Sequence, residues 1–447
     1  MVALSKSLNS SSVPWDIEKE PNPCSWEGML SVSNNKLGSI PVEFVRDCGK
    51  IDGLKQLNFS KNRLNLIYNH FTGSLPTQLG KSKLLEELQL SMNKFLGRIP
   101  EEIFGYPNLK LIDLSQNNLS GSVPDRVGEL SKFEANQNEF GSVIPSGITK
   151  FLKNLDLRYN MLSGSIPSDL LSPPNLQSVD LSFNRLEGSL PVNMSSRLIK
   201  LRLGNNKLSG TIPASFARLQ NLTYLELENN GFTKVNPPEL GSCQSLALLN
   251  LAQNRLMGSL PVQLGKQSWR FHTQHHEFHD FPLELQLGKN QLSGYIPEMP
   301  RNLQIALNLS NNLFKGPIPK NLAGLTGLEV LDLSNNKFSG EIPSFLTQLK
   351  SLTQLLLTNN SLSGDIPKFN WWVVVEISGN TDLTNLTTGT PVINLPAEPV
   401  INLKVFIAAF YFSSFISFLL CMVGPKVLHE AWQEERLIFR PRKSGRI

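Results

Sequence analysis

Five stretches of this chain, beginning at Leu85, Leu176, Leu246, Leu328 and Leu352, read LEELQLSMNKFLGRIP, LQSVDLSFNRLEGSLP, LALLNLAQNRLMGSLP, LEVLDLSNNKFSGEIP and LTQLLLTNNSLSGDIP. They share the frame LxxLxLxxNxLxGxIP. Its asparagine falls at Asn69, Asn93, Asn117, Asn138, Asn160, Asn184, Asn206, Asn230 and Asn254, then at Asn290, Asn312, Asn336 and Asn360; most steps are 24 residues and a few are 21 or 22. A repeat this short cannot bury its own leucines, so consecutive copies must stack and share one core. The LxL centre is a short strand with leucines pointing inward and the residues between them facing out. The asparagine carries both a donor and an acceptor for backbone groups at the buried turn after the strand. Glycine permits a positive-φ bend, and proline fixes the start of the outer segment.

A period near 24 with this frame identifies leucine-rich repeats. The expected fold is an α/β solenoid, with short parallel strands on the concave face, followed by one transmembrane helix. The GxIP element, as in Gly164-Ser165-Ile166-Pro167, resembles the plant-specific class of leucine-rich repeat, typical of receptor-like kinases and of kinase-less receptor-like proteins. Upstream, Trp15, Cys24, Trp26 and Gly28 match the N-terminal cap of that family, but its second cysteine is missing where the chain runs on into Leu30. The expected organisation is an incomplete cap over 1–29, a solenoid over 30–367 and a C-terminal cap with juxtamembrane segment over 368–403. A transmembrane helix over 404–424 and a short basic cytoplasmic tail over 425–447 complete it.

Two places break the metre. The frame restarts after seven residues between Asn62 and Asn69, as if one coil were cut short. The step from Asn254 to Asn290 is 36 residues, and the excess holds an insertion over 268–282 with four histidines, His272, His275, His276 and His279. Two pairs of these are four apart, a spacing that suits a metal on a helix. They sit between coils, however, where exposed loops tolerate extra sequence, and no HExxH arrangement occurs. No metal and no cofactor are expected. Among four cysteines, Cys421 lies in an apolar run and Cys243 occupies a repeat position suited to a small buried thiol. Cys24 and Cys48 remain as the candidate disulfide.

From Val405 to Val423 the chain is uncharged and apolar, long enough to cross a bilayer as a helix of about 20 residues. One basic residue, Lys404, lies just before it, whereas Lys426, Arg436, Arg440, Arg442, Lys443 and Arg446 follow. That asymmetry puts the C-terminus in the cytosol and the repeats outside. MVALSKSLNS does not read as a secretory leader. So late a span without one would favour the opposite, tail-anchored orientation; the exterior placement therefore expects a leader upstream of Met1. Glycosylation candidates at Asn9, Asn58, Asn118, Asn193, Asn221, Asn308, Asn359 and Asn385 agree with the exterior. The formal net charge of +5 comes largely from the tail, so no basic face for nucleic acid is implied.

Repeat proteins bind through the face that curvature makes concave. Many outward positions there hold the consensus pairs Asp113/Ser115, Asp180/Ser182 and Asp332/Ser334, read as solvated surface. The middle coils differ: Asp156, Arg158, Tyr159, Lys200, Arg202, Tyr224, Glu226 and Glu228 form the expected ligand-binding set, with Lys200 and Arg202 placed to grip a peptide carboxylate. No Gly-rich loop, VAIK-like lysine, HRD or DFG occurs in the chain, so no enzyme is expected. The resemblance implies a single-pass plasma-membrane receptor-like protein. Its repeats would bind a peptide, a small ligand or another receptor's ectodomain, and it would signal through a partner receptor kinase. Alternatives are a repeat inhibitor of a secreted wall-degrading enzyme, which would need no span, and a receptor kinase whose catalytic domain lies beyond this sequence.

Overall fold

The computed structural model describes residues 28–31, 54–58, 72–75, 77, 85–105, 107–234, 243, 245–266, 283–301 and 303–384. The leucines of successive LxL centres drive each coil against the next. Among the described residues fifteen parallel strands result, each hydrogen-bonded to the corresponding strand of the following coil, from Gly28–Ser31 and Leu54–Asn58 through Glu87–Gln89 to Val374–Glu376. The strands are in register: Asp156 lies beside Asp180, Asp180 beside Arg202, and Arg202 beside Glu226. The ladder also closes across the long step, with Leu248–Asn250 paired in register to Leu283–Gln286. The insertion therefore leaves the stack unbroken. It also continues past 367, within the stretch assigned to the C-terminal cap, where Gln354–Leu356 pairs with Val374–Glu376.

The core follows the frame. Leu155, Leu157, Leu201, Leu203, Leu225 and Leu227 are fully buried, as are the phenylalanines at the leucine position after the asparagine, among them Phe95, Phe140, Phe232, Phe314 and Phe338. Phe314 and Phe338 stack from adjacent coils at 6.3 Å between ring centres. Cys243 is buried and free, donating its thiol to the Phe216 carbonyl at 3.2 Å; burial pushes the thiol up to about 12.

The asparagine does more than satisfy its own turn. Asn117 Nδ2 donates to the carbonyls of Leu114 and Ser115 in its own coil and of Leu90 in the previous one, at 3.0, 3.3 and 3.1 Å. Its Oδ1 accepts from the Phe95 backbone N–H at 3.0 Å. The same pattern recurs at Asn138, Asn184, Asn254 and Asn312. Asn380 continues it, bonding Leu357, Ile377 and Leu362. These asparagines are thus cross-coil stitches.

Two further ribbons, of ten and four strands, run along the coil flank through the GxIP region. The glycine there has positive φ, +81° at Gly316, and the space a Cβ would need is occupied by the ring of Tyr295 from the previous coil. The ribbons are interrupted between Glu139–Phe140 and Ser163–Ser165, where Ser142 replaces the frame glycine and only the bridge Val143–Ser163 remains. Lys234 also replaces that glycine without interrupting the pairing, so glycine alone does not explain the break.

The outer segments correct one expectation. Among the described residues they hold five-residue 3₁₀ turns, such as Asp125–Glu129, Ala214–Arg218, Lys320–Gly324 and Ser344–Gln348, rather than α-helices. A 24-residue coil that spends its length on two strands and two turns leaves too few residues for a helix with capped ends. The frame prolines cap these turns, with φ of −67° at Pro124 and −68° at Pro213. No helix among the described residues is long and apolar enough to cross a membrane. The expected transmembrane run, the Cys24–Cys48 pair, the histidines and the short step from Asn62 to Asn69 lie outside the described residues.

Candidate open-face site

The long sheet leaves the residues on either side of each inward leucine on one open face. The residue just before a coil's second strand leucine, the one just after it and the two preceding the frame asparagine form four rows running from coil to coil. The second row reads Asp113, Glu134, Asp156, Asp180, Arg202, Glu226, Asn250, in register throughout. Four carboxylates thus stand in successive strands about 4.8 Å apart. Like charges set side by side in this way are destabilising unless something offsets them.

Asp180 is the hub, and its assignment to the solvated consensus pairs is corrected. It is only 3% exposed. Its Oδ1 caps Ser182, accepting from the backbone N–H at 3.2 Å and the hydroxyl at 2.6 Å. Its Oδ2 lies 3.7 Å from Arg158, 4.0 Å from Lys200 and 3.9 Å from Arg202. Arg158 also approaches Asp156 at 3.6 Å, and Arg202 pairs through Nε with Glu226. Three carboxylates and three cations so neutralise one another. Arg202 is buried and Lys200 half-buried. Both cations placed to grip a ligand carboxylate are therefore already engaged within the molecule.

Burial raises Asp156, helped by the charge of Asp180, to about 7. Burial raises Glu226 as well, against the pull of Arg202. Glu228 is pushed to about 8 by burial and by Glu226; it accepts from Asn205 Nδ2 at 3.1 Å and has no ion pair among the described residues. Its carboxyl fills the space over Gly204, where a Cβ would collide with it. Burial also lowers Lys200, as does the neighbouring Arg202.

The row preceding the frame asparagine was missed except at Tyr159. The fold holds that residue left-handed in coil after coil, with φ between 51° and 60°. Asn205, Asn229, Asn311, Asn335 and Asn359 occupy it in five coils, Met92, Gln116, Gln137, Gln253 and Lys289 in five more, and Tyr159 and Phe183 in two adjacent ones. The two rings stack at 4.1 Å with planes 10° apart, and Phe183 is 40% exposed. Tyr224 lies half-buried on the same face beside Lys200.

Of the glycosylation candidates, Asn118, Asn193, Asn221 and Asn359 are exposed. Asn359 Nδ2 is held by Asn335 at 2.7 Å. Asn308 is half-buried on the open face with its Oδ1 capping Ser310; Asn58 lies on a strand, and Asn9 and Asn385 lie outside the described residues. No group of side chains able to hold a metal occurs among the described residues.

Comparison with known proteins places this geometry. Residues 196–256 match a "Leucine rich repeat" family model, and 84–106, 108–130, 151–172, 175–196 and 327–349 each match a single "Leucine Rich Repeat". The chain is 31% identical over 221 residues to Receptor-like protein 18 of Arabidopsis thaliana, and 33% identical over 216 residues to Receptor-like protein 35 of the same plant. These matches take in 45% and 41% of this chain and 22% of each relative, so it spans about a fifth of their length. Among solved structures, a TDR receptor is similar with TM-score 0.65 and 28% identity, covering 80% of this chain and 64% of that one. The Arabidopsis receptor kinase HAESA ectodomain, in complex with an extended IDA peptide hormone, follows with TM-score 0.58, 29% identity and coverage of 80% and 66%. A Leptospira interrogans leucine-rich repeat protein reaches TM-score 0.55 at 26% identity, covering 78% of this chain and 94% of that one, so the fold by itself does not set the function. Taken with the GxIP frame, these likenesses show leucine-rich repeats similar to those of plant receptor-like proteins and of receptor-kinase ectodomains.

Proposed function

We propose that the chain is a single-pass membrane receptor-like protein whose repeats, outside the cell, bind a peptide along the open face between Asp113 and Glu228. It signals through a partner receptor kinase. The observation that carries the reading is the Tyr159–Phe183 stack beside the in-register charged row, on a face built from several coils. Large aromatic area next to ordered charge is what a binding hot spot uses. That the HAESA structure holds a peptide hormone supports the ligand class. The apolar run from Val405 and the basic tail support the membrane placement.

Two measurements test this. Protease added outside intact cells should cut the repeats and spare the tail after residue 425; a cleaved tail with intact repeats would reverse the topology. Asn154→Trp with Ser178→Trp fills the open face without touching the inward leucines. It should abolish capture of peptides selected from a random library, whereas Gln263→Trp on an outer turn should not. Equal loss, or none, in both variants would remove the open face from binding.

A further inference from the structure

Which kind of peptide the face takes follows from two of its rows. The first is the left-handed row. A left-handed backbone costs an L-residue roughly 1–2 kcal/mol, a cost asparagine partly recovers through local hydrogen bonds and an aromatic side chain does not. Five coils use asparagine there, and Asn229 bonds Asn205 and Asn359 bonds Asn335 side chain to side chain. Tyr159 and Phe183 forgo that fit, and Phe183 does not join the core. Met92, Gln116, Gln137, Gln253 and Lys289 forgo it too, but among the described residues only these two adjacent coils set aromatic rings in the row, stacked on each other and with Phe183 open to solvent.

The second is the acidic row. Its members cap the turn two residues on: Asp113 caps Ser115 at 3.0 Å, Asp156 caps Arg158 at 3.2 Å, and Asp332 caps Ser334 at 3.0 Å. Asn250 and Asn308 make the same bond with an amide, to Ala252 and Ser310. The turn therefore needs the oxygen and not the charge. Glu134 adds a further carboxylate to the row, half-buried and bridged to Lys132 at 2.9 Å. Lys200 and Arg202, on the far side of Asp180, are spent on Asp180 and Glu226. Before them, the ion pairs of Asp113, Glu134 and Asp156 among the described residues are with Lys132 and Arg158 alone, although the charge of Lys200 also reaches Asp156. Arg158 is shared with Asp180, and Asp113 has no ion pair among the described residues. This end of the face is short of positive charge, and it borders the coil that carries the first ring.

We infer that the ligand is a basic peptide segment, with an arginine side chain laid on the Tyr159–Phe183 stack and its positive charges against the row Asp113, Glu134, Asp156. A guanidinium is flat and weakly hydrated, and so suits an aromatic face better than an ammonium does. The same acidic row repels phosphate and carboxylate. The inference rests on the receptor reading above and sharpens it to one ligand chemistry.

The test is selection of a displayed random dodecapeptide library on the full chain in detergent, with the winners measured on Tyr159→Asn/Phe183→Asn. Asparagine is the residue five other coils carry in this backbone conformation, so the double variant keeps its fold, and its melting temperature checks that. The expected outcome is that the winners are net basic and contain arginine, and bind the double variant about tenfold more weakly. Winners that are neutral or acidic, or basic winners that bind the double variant unchanged, overturn the inference. If such winners still lose binding to Asn154→Trp/Ser178→Trp, the receptor reading survives that failure; if no peptide is retained at all, both fall.

Discussion

At the scale of single residues, the frame asparagine ties coils together more than it decorates a turn. Asn138 donates to Ala135, Asn136 and, across the coil boundary, Leu114, and accepts from the Leu119 N–H. Asn138→Ala leaves those buried backbone groups unpaired and should cost about 2–3 kcal/mol in urea unfolding. Asn138→Asp should be no better, because the donors are lost. Glu228 gives a pH test. Its folded pKa stands near 8 against an ordinary 4.5, so the folded chain holds a proton that the unfolded chain releases. Ionisation therefore opposes folding, and stability falls as pH rises from about 4.5 through 8. The groups facing it are Glu226, Arg202 and Asp180. Glu228→Gln keeps an oxygen for Asn205 and should stabilise the protein by about 4 kcal/mol at pH 8, with the two proteins converging near pH 4.5. A constant difference across that range would contradict the burial argument. What the sequence showed here was residue identity; what it hid was adjacency. Asp180 looked like consensus because Asp–Ser recurs, and only alignment of neighbouring strands sets it against Arg202. Tyr159 and Phe183 are 24 residues apart, one period, so counting alone would have paired them. Their use of a left-handed backbone could not be read, because nothing in LxLxxN marks the residue before the asparagine as special.

At the scale of the element, strands and bends were legible because leucine, asparagine, glycine and proline each answer one backbone requirement. The outer segments were not, because proline followed by a short polar run suits a 3₁₀ turn and the first turn of a helix equally. The flank glycines carry a second constraint that composition does not reveal. Some make room for a side chain of the preceding coil, as Gly316 does for Tyr295 and Gly164 for Val143, whereas Gly73 and Gly97 do not. Gly316→Ala should therefore destabilise by about 1–3 kcal/mol, combining backbone strain with the collision. Adding Tyr295→Ala should recover the collision part only, a coupling that a double-mutant cycle would detect. Strict additivity of the two changes would show that the ring does not lie over the glycine.

At the scale of the whole molecule, each coil touches its neighbours and little else, so stability is carried from interface to interface. A core truncation such as Leu225→Ala should cost about 2–5 kcal/mol and loosen the middle coils first. The insertion over 268–282 is the harshest perturbation the sequence contains, yet Asn290 donates to Leu251 at 3.0 Å and accepts from Leu256 at 3.0 Å across it. Deleting those fifteen residues would shorten the step of 36 to 21, the length already used from Asn117 to Asn138. The shortened protein should fold and keep its peptide binding. Since the rows of the open face exist only if every coil docks in register, amide hydrogen exchange on either side of that insertion tests the account most directly. The Leu251, Gln253 and Leu256 amides, bonded to Gln286, Gly288 and Asn290, should be protected like the Leu186 amide bonded to Asn206. Exchange at these three sites at the rate of an open loop, with Leu186 still protected, would mean the stack ends at Asn254 and the account fails.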